Sequence, residues 1–349
     1  MSPSPQEIRA AKAEATLRDR DLAASLKISE AQLVAAHVSV SGPFRATRIR
    51  FHPDDVMPVM PRLGEVMSLT RNESIVLERV GTFGEYRSGP HAAMVLGKDI
   101  DTRIFPKHWA YGFAVEADGD HGTRRSLQFF DTTGEALQKV YLRETSDAAA
   151  WAPLVEELTL DDQSDAITPE PAMPTEGPKA DAEKRDVLVA EWQKMTDTHQ
   201  FNRISSRLGM NRLGAYRLAG SPYVRAVDPG CVEGWMTALS ETRQKVVFFV
   251  GNRGHIQIHW GTFDAIKVMG PWLNVLDPML NVHLRADRVA EAYVVDKPTK
   301  RGPAISLECF DAEGGLIFQC YGQRESEEDT LDQWHGILDR LPAVREAAE

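Results

Sequence analysis

The residues with the clearest chemical potential are one histidine and one arginine, His199 and Arg212, which lie thirteen positions apart. A neutral imidazole can give a lone pair to a metal ion. A guanidinium is a cation that does not lose its proton in proteins. This pair is therefore a candidate metal or ligand site, although a single histidine beside an apolar helix face is more often structural.

The stretch around this pair, residues 195–222, predicts two short helices joined by a tight turn. Residues that favour a helix N-cap come first, and apolar residues then recur at helical spacing: Thr196, Asp197 and Thr198, followed by Phe201, Ile204 and Leu208. Gly209 breaks that helix, Asn211 can cap the next one, and Gly220 follows its last apolar residue. His199 is therefore expected at the start of a helix.

Bulk composition limits the function classes. A chain of 349 residues is long for one core, so two domains are expected. The apolar fraction of 42% and the charged fraction of 26% are ordinary for a soluble globular protein. A net charge of -11 disfavours general binding to nucleic acid or to an anionic membrane surface.

Several sequence features predict a cytoplasmic location. The three cysteines, Cys231, Cys309 and Cys320, form no CxxC pair and cannot all pair with one another, which favours a reducing compartment. The first twenty residues lack the apolar segment of a secretory signal. No apolar run approaches the 18 residues or so that a membrane span needs.

The order of predicted elements repeats. The first half of the chain predicts helices at 5–36, short strands at 56–141 and a helix at 146–158. A proline-rich acidic linker follows at 161–185. The same order then returns, with helices at 184–219, strands at 246–321 and a last helix at 330–341. A shift of 180 residues places Gly81 on Gly261, Ser126 on Ser306 and Tyr141 on Tyr321. The sequence therefore predicts an α+β protein made by tandem duplication of a largely antiparallel sheet flanked by helices, with repeats at 1–160 and 186–349.

The two copies differ at the candidate pair. Arg212 falls on Glu30, and His199 falls near Leu17. A structural feature should persist in both copies, whereas a site can survive in one. The comparison therefore favours a functional role for the pair in the second copy.

Longer matching segments carry a family resemblance: 101–109, 198–201, 215–218, 247–259, 296–299 and 318–324, together with Arg212. Over nearly its whole length the chain resembles the HemS, HmuS and ChuS family of bacterial cytoplasmic haem-trafficking and haem-degrading proteins. The resemblance implies that His199 is the proximal iron ligand and that Arg212 lies on the opposite, distal face of the haem.

The resemblance also implies roles for six further residues. Tyr321 and Gln319 match distal polar groups that, with Arg212, would act in catalysis, and Phe249 matches an aromatic wall. Arg103 and Phe105, in the first repeat, match residues that reach the haem cleft, and Lys297 matches a lysine that can pair with a propionate. Haem is an apolar plate with an anionic edge, so aromatic walls, an axial ligand and cations suit it.

The implied function is to accept imported haem b and either deliver it or open the ring. Delivery implies the cytoplasmic side of a haem ABC importer and a haem acceptor or reductase as partners, and ring opening implies an electron donor and dioxygen. A haem-dependent or helix-turn-helix regulatory protein without turnover remains an alternative, because residues 21–33 have helix-turn-helix spacing. Three further histidines in the second copy, His255, His259 and His283, are the next candidate ligands, although a structural role is expected for them.

Overall fold

The computed structural model describes residues 2–326 and 329–344, so the ends of the predicted repeats at Met1 and at 345–349 lie outside the described residues. The chain forms two compact units. Among the described residues, the first contains 2–71, 77–173 and 251–257, and the second contains 72–76, 174–250, 258–326 and 329–344. Each unit therefore includes a short segment from the other half of the chain.

The first unit has five α-helices and nine strands among its described residues. The helices are α1 Pro5–Glu14, α2 Asp19–Ser25, α3 Glu30–Ala35, α4 Pro53–Val56 and α5 Trp151–Leu158. The strands are β1 Phe44–Arg48, β2 Gly64–Arg71, β3 Ile75–Gly81 (in this unit from Leu77), β4 Glu85–Arg87, β5 Ala93–Leu96, β6 Asp101–Ile104, β7 Tyr111–Gly119, β8 Gly122–Phe130 and β9 Ala136–Ser146. Strands β1, β7, β8, β9 and β2 are antiparallel neighbours in that order, and β4, β5 and β6 form a second antiparallel ladder.

Alternation along β7 and β8 builds the core of the first unit on both faces of the sheet. Phe113 and Phe130 pack with helices α1 to α3, while Ala114 and Phe129 pack with α5 on the opposite side. Successive side chains of a strand point to opposite faces, so one strand serves two apolar clusters. A capping box at Ser29 fixes the start of α3 in this arrangement.

The second unit likewise has five α-helices and nine strands in its described part. The helices are α6 Arg185–Gln193, α7 Gln200–Arg207, α8 Arg212–Ala219, α9 Val232–Thr242 and α10 Asp332–Asp339. The strands are β10 Val224–Val227, β11 Val246–Gly251 (in this unit to Val250), β12 His255–Gly261 (in this unit from Ile258), β13 Ile266–Met269, β14 Trp272–Asp277, β15 Leu280–Arg285, β16 Glu291–Thr299, β17 Gly302–Phe310 and β18 Leu316–Gly322. Strands β10, β16, β17, β18 and β11 are antiparallel neighbours in that order.

Aromatic packing holds helices α6, α7 and α8 on the sheet of the second unit. Trp192, Phe201 and Tyr216 come from these three helices and pack with Tyr293 and Phe310 of the strands. The indole N–H of Trp192 also donates to the carbonyl oxygen of Asp296 at 2.8 Å. The predicted α+β class with largely antiparallel sheets is confirmed; β1, β10 and α9 are elements that the sequence analysis did not predict.

The predicted linker has no helix or strand over residues 161–181 and ends in a short 3-10 segment, Ala182–Lys184. In its first part, the backbone N–H of Glu170 donates to Thr132 O at 2.8 Å. In its second part, Lys179 N donates to Asn211 Oδ1 at 2.9 Å, and Asn211 N donates to Lys179 O at 3.1 Å. All ten residues from 171 to 180 are exposed.

The helix-turn-helix alternative places its second helix at α3. Five of the six residues of α3 are buried: Glu30, Ala31, Leu33, Val34 and Ala35. A recognition helix must present a face to the major groove. This helix uses its faces for packing, which argues against DNA binding through it. No helix in the described residues is long and apolar enough to cross a membrane.

Candidate functional site

Helix α8 fixes the position of Arg212. Its N-cap residue, Asn211, accepts a hydrogen bond from Gly214 N at 3.0 Å, and Arg212 is the first helical residue. The start of a helix leaves backbone N–H groups without helical partners, and this cap satisfies one of them. Local sequence therefore determines where the arginine side chain leaves the backbone.

The guanidinium of Arg212 is held by three oxygen atoms and one ring. Nη1 donates to Glu308 Oε2 at 2.8 Å and to the Tyr216 hydroxyl at 3.2 Å, and Nη2 donates to Asn202 Oδ1 at 3.0 Å. Its central carbon lies 5.7 Å from the ring centre of Phe201. The side chain of Arg212 is 23% exposed, while two of its partners, Glu308 and Tyr216, are buried and the third, Asn202, is exposed.

Glu308, on β17, is the centre of this arrangement. Its side chain is completely buried and pairs with Lys297 of β16 as well as with Arg212. Burial opposes ionisation of a carboxyl group, but the charges of Lys297 and Arg212 outweigh it and lower the pKa of Glu308 to about 2. Glu308 is therefore an anion at every physiological pH.

Lys297 lies in the interior rather than at the surface. Its side chain is 1% exposed, and its ammonium group lies 5.4 Å from the ring centre of Phe201 and 5.2 Å from that of Tyr216. Burial lowers the pKa of an amine, yet Glu308 and Tyr216 outweigh this effect and raise the pKa of Lys297. The lysine expected to meet a propionate thus already has a carboxylate partner within the chain.

Three more of the sequence-predicted residues lie around this centre. The ring of Tyr321 is 5.9 Å from the Lys297 ammonium and 5.9 Å from the ring of Phe249. Gln319 is the cross-strand partner of Glu308 in the β17–β18 ladder. The structure therefore brings Arg212, Lys297, Gln319, Tyr321 and Phe249 into one connected cluster.

His199 is the N-cap residue of α7, and its side chain is 93% exposed. Its Nδ1 lies 2.7 Å from Asp197 Oδ1. A carboxylate at Nδ1 makes that nitrogen the protonated one in the neutral imidazole, which leaves the lone pair on Nε2. Two residues later, Phe201 is buried under Arg212 and Lys297, so α7 links the histidine to the cluster.

Arg103 and Phe105 belong to the first unit. Arg103 lies on β6, is 32% exposed and pairs with Asp101. Phe105 precedes a short 3-10 segment, is half-buried, and donates its backbone N–H to Gly254 O at 3.0 Å.

The other candidate histidines have partners within the protein. His255 is fully buried, its Nδ1 lies 2.8 Å from Thr70 Oγ1, and burial lowers its pKa to about 3. The ring of His259 stacks on Phe263 at 5.5 Å. His283 Nδ1 lies 2.7 Å from Asn274 Oδ1. These contacts favour structural roles for all three.

The equivalent position in the first unit carries the opposite charge. Glu30 is the first residue of α3, as Arg212 is of α8. It pairs with Lys139 and, at 2.7 Å, with Arg71. The side chains of Glu30, Lys139 and Arg71 are 4%, 7% and 10% exposed, so this cluster is closed whereas that of Arg212 opens to the surface.

Three features of this site were not predicted from the sequence: Glu308, Tyr216 and the contact from Asp197 to His199. Glu308 had one available signal, because it is an acidic residue within the alternating apolar run of β17, where the first copy has Gln128. A charged residue in a buried strand needs a partner of opposite charge. Only the three-dimensional structure shows that two cations meet there.

Comparison with known proteins identifies the family. A family model described as the haemin-degrading HemS.ChuX domain matches twice, at residues 27–158 and 209–341, which confirms the predicted tandem duplication. The hemin transport protein HemS of Yersinia enterocolitica is 34% identical over 324 residues, 92% of each chain.

Solved structures agree with this result. The haem-binding protein PhuS of Pseudomonas aeruginosa, in its haem-bound form, superposes with a TM-score of 0.91 at 36% identity, covering 98% of this chain and all of that one. ChuS, described as an Escherichia coli haem oxygenase, gives 0.85 at 31% identity, covering 96% of this chain and 99% of the other. The chain therefore belongs to the haemin-degrading HemS.ChuX domain family.

Proposed function

We propose that this protein is a cytoplasmic haem-binding protein of a bacterial haem-uptake system, which accepts imported haem b and passes it on for iron use. One observation carries the proposal. His199 presents an exposed imidazole whose Nδ1 is held by Asp197, in the same unit as the cation of Arg212. An imidazole prepared in this way can bind iron through Nε2.

The residues present suit the chemistry of haem. Aromatic rings of Phe249 and Tyr321 can contact an apolar plate, and the partly exposed guanidinium of Arg212 can donate to an anionic or polar group. In the proposal, His199 would hold the iron, and Arg212, Tyr321 and Gln319 would supply polar groups to the bound haem. Arg103 and Phe105 lie in the first unit, and their part in haem binding stays a prediction from the family resemblance.

Lys297 has a different proposed part. Because its ammonium is buried against Glu308, it contributes charge to the cluster rather than a surface hydrogen bond to a propionate. It supports the ionised state of Glu308, which in turn holds Arg212.

Haem degradation is a second candidate, favoured by the similarity to ChuS, which is described as a haem oxygenase. Bound haem would supply a redox-active iron, and turnover would need dioxygen and an electron donor. The chain's own contribution would be to orient the plate through His199 and to place the Arg212 donor group next to it. Delivery would instead need contact with the cytoplasmic side of a haem ABC importer and with a haem acceptor or reductase.

Titration of the purified protein with haemin tests the proposal. We expect a saturable, one-to-one visible spectrum of a His-ligated ferric haem, which His199→Ala loses. His121→Ala, which removes an exposed histidine of the first unit, should leave that spectrum unchanged. A His199→Ala protein with the original spectrum and the original haem retention would refute the ligand assignment.

A second measurement separates delivery from degradation. The haem-loaded protein is given oxygen and a reductant, with catalase present to remove free peroxide. Loss of the main visible band at a rate that depends on Arg212 would identify ring opening. A stable band together with transfer to an apo-haem protein would identify delivery.

A further inference from the structure

We infer that Glu308 is a positioning residue that holds the Arg212 guanidinium ready for a ligand, with Lys297 as the counter-charge that keeps Glu308 ionised. This inference rests on the proposed function, because it assigns a role to residues behind the proposed haem-facing arginine. It concerns a buried carboxylate that is not expected to touch the ligand.

The two oxygens of the Glu308 carboxylate have separate tasks. Oε2 accepts from Arg212 Nη1 at 2.8 Å and from the Tyr216 hydroxyl at 2.9 Å. Oε1 accepts from the Lys297 ammonium and from the Ser306 hydroxyl at 2.9 Å. One oxygen therefore faces the arginine and the other faces the interior cation.

The exposed charge of the cluster lies on Arg212. Arg212, Lys297 and Glu308 comprise two cations and one carboxylate, so this cluster has one net positive charge. Lys297 and Glu308 are 1% and 0% exposed, while the arginine side chain is 23% exposed. Of these three charged side chains, Arg212 is therefore the one that is accessible to a ligand, and its positive charge suits an anionic or electron-rich ligand.

Arg212 is also held in a defined geometry. Nη1 is bound by Glu308 and Tyr216, and Nη2 by Asn202. A free arginine side chain samples many rotamers, and ordering it on binding opposes association. A guanidinium that is already ordered gives a ligand its hydrogen bonds without that loss, which is the benefit of preorganisation.

The first unit provides an internal comparison. Glu30 is also a buried carboxylate with two cationic partners, Lys139 and Arg71. All three of those side chains are at most 10% exposed, so none offers its charge at the surface to the degree that Arg212 does. Burial of an ionic cluster is common to both copies, and the outward cation distinguishes the second.

The test is a double-mutant cycle between Glu308→Gln and Arg212→Ala, with Glu30→Gln as the matched control for the loss of a buried acid. The readouts are the ferric visible spectrum and the rate of haem loss to an excess of apomyoglobin. We expect Glu308→Gln to change the spectrum and to speed haem loss several-fold when Arg212 is present. In the Arg212→Ala background, adding Glu308→Gln should change the rate of haem loss less than twofold.

An equal effect of Glu308→Gln in both backgrounds, or one no larger than that of Glu30→Gln, would overturn the inference. A readout that needs no haem distinguishes failure of this inference from failure of the proposed function. In the wild-type protein, the Arg212 side-chain N–H resonance, assigned with Arg212→Lys, should be sharp and slow to exchange with water, and it should broaden in Glu308→Gln. If the wild type bound no haem, this resonance would still decide whether Glu308 orders Arg212.

A further variant guards against failure to fold. Asn202 is exposed, so Asn202→Ala should fold while removing the bond to Nη2. We expect a change in spectrum and haem loss in the same direction, smaller than that of Arg212→Ala. An effect of Asn202→Ala as large as that of Glu308→Gln would show that Glu308 has no special part in ordering Arg212, and it would overturn the inference.

Discussion

Single carboxylates determine what the two candidate site residues can do. Asp197 determines which nitrogen of His199 carries the lone pair, and Glu308 determines where the Arg212 guanidinium lies. Partners of this kind usually act on ligand geometry and basicity rather than by touching the ligand. Both carboxylates are therefore expected to change haem retention when they are removed.

For Asp197 we predict that Asp197→Ala keeps a His-ligated spectrum but speeds haem loss. Removing an outer partner of a metal-bound histidine typically costs 10–100-fold in affinity, and the exposure of Asp197 favours the lower end, about tenfold. Asp197→Asn should recover part of the loss, because its amide oxygen can still accept from Nδ1. Asp186→Ala, on an almost fully exposed residue, is the control. Unchanged haem loss in Asp197→Ala would show that the contact is incidental.

For Arg212 we predict that Arg212→Ala alters the ferric spectrum and slows any oxygen-dependent ring opening. The variant also leaves Glu308 with one cation instead of two, so the free energy of unfolding should fall by about 1–3 kcal/mol. Arg217→Ala removes a surface arginine of the same helix, paired with Glu291, and is the matched control. An altered stability with an unchanged spectrum and turnover would place Arg212 outside the haem pocket.

The buried histidine predicts a pH dependence of stability. The pKa of His255 is about 3 in the folded protein and 6.5 ordinarily, so between these values the unfolded chain binds a proton that the folded one does not. The free energy of unfolding should therefore fall as pH falls from 6.5, by up to about 1.4 kcal/mol per pH unit from this group. Urea unfolding at pH 7 and pH 5 should show a smaller difference for His255→Gln than for wild type. His121→Gln should behave like wild type, and an equal slope in His255→Gln would contradict the assignment.

The sequence pointed to most of the second-unit cluster but not to its centre. His199 and Arg212 emerged from residue chemistry and from the comparison of the two copies, and Lys297 and Tyr321 from the family resemblance. Glu308 was missed because one acidic residue in a strand gives no local sign of the cations that approach it from two other elements, β16 and α8. The burial of Lys297 was missed for the same reason.

At the scale of elements, periodicity and turn residues predicted the class and order of the helices and strands well. The short edge elements β1 and β10 were missed because four or five residues carry too little periodic signal. Helix α9 is eleven residues long and was missed although its buried residues, Val232, Trp235, Met236 and Leu239, recur at helical spacing. Antiparallel pairing beyond hairpins required the structure.

Because the linker packs closely on helix α8, we expect one Gly→Ala substitution in this helix to destabilise the protein, although alanine has the higher helix propensity. A Cβ on Gly214 would lie 2.0 Å from the backbone oxygen of Lys179, so Gly214→Ala must displace the linker. We expect the free energy of unfolding to fall by about 1–3 kcal/mol, as for other overpacked sites, and the linker to be cleaved faster by protease.

The control for this prediction lies in α9. Gly234 has no heavy atom within 4 Å of a built Cβ, so Gly234→Ala should raise the free energy of unfolding by about 0.5–1 kcal/mol through helix propensity alone. Chemical denaturation of both variants checks the pair. A Gly214→Ala protein as stable as Gly234→Ala would show that the linker does not pack on α8 in solution.

The whole molecule combines a duplicated fold with an exchange of short segments. Asn72 is in the second unit, where its Nδ2 donates to Ile317 O at 2.9 Å. Asn252 is in the first unit, where its Nδ2 donates to Leu137 O at 2.9 Å. Each unit therefore needs a turn from the other half of the chain to satisfy these backbone groups.

This exchange predicts how the cleaved protein behaves. The exposed stretch 171–180 carries no regular structure and should be the first place that protease cuts, which gives two fragments of about half size. The fragments should nevertheless elute together from a size-exclusion column under native conditions and separate in urea, because each supplies a turn that completes the unit of the other. The double variant Asn72→Ala, Asn252→Ala should lower the urea concentration needed to separate them, since buried carbonyl oxygens then lose their donors. Early cleavage within residues 246–321 would show that the predicted domain division is wrong. Fragments that separate without denaturant would show that the two turns contribute little.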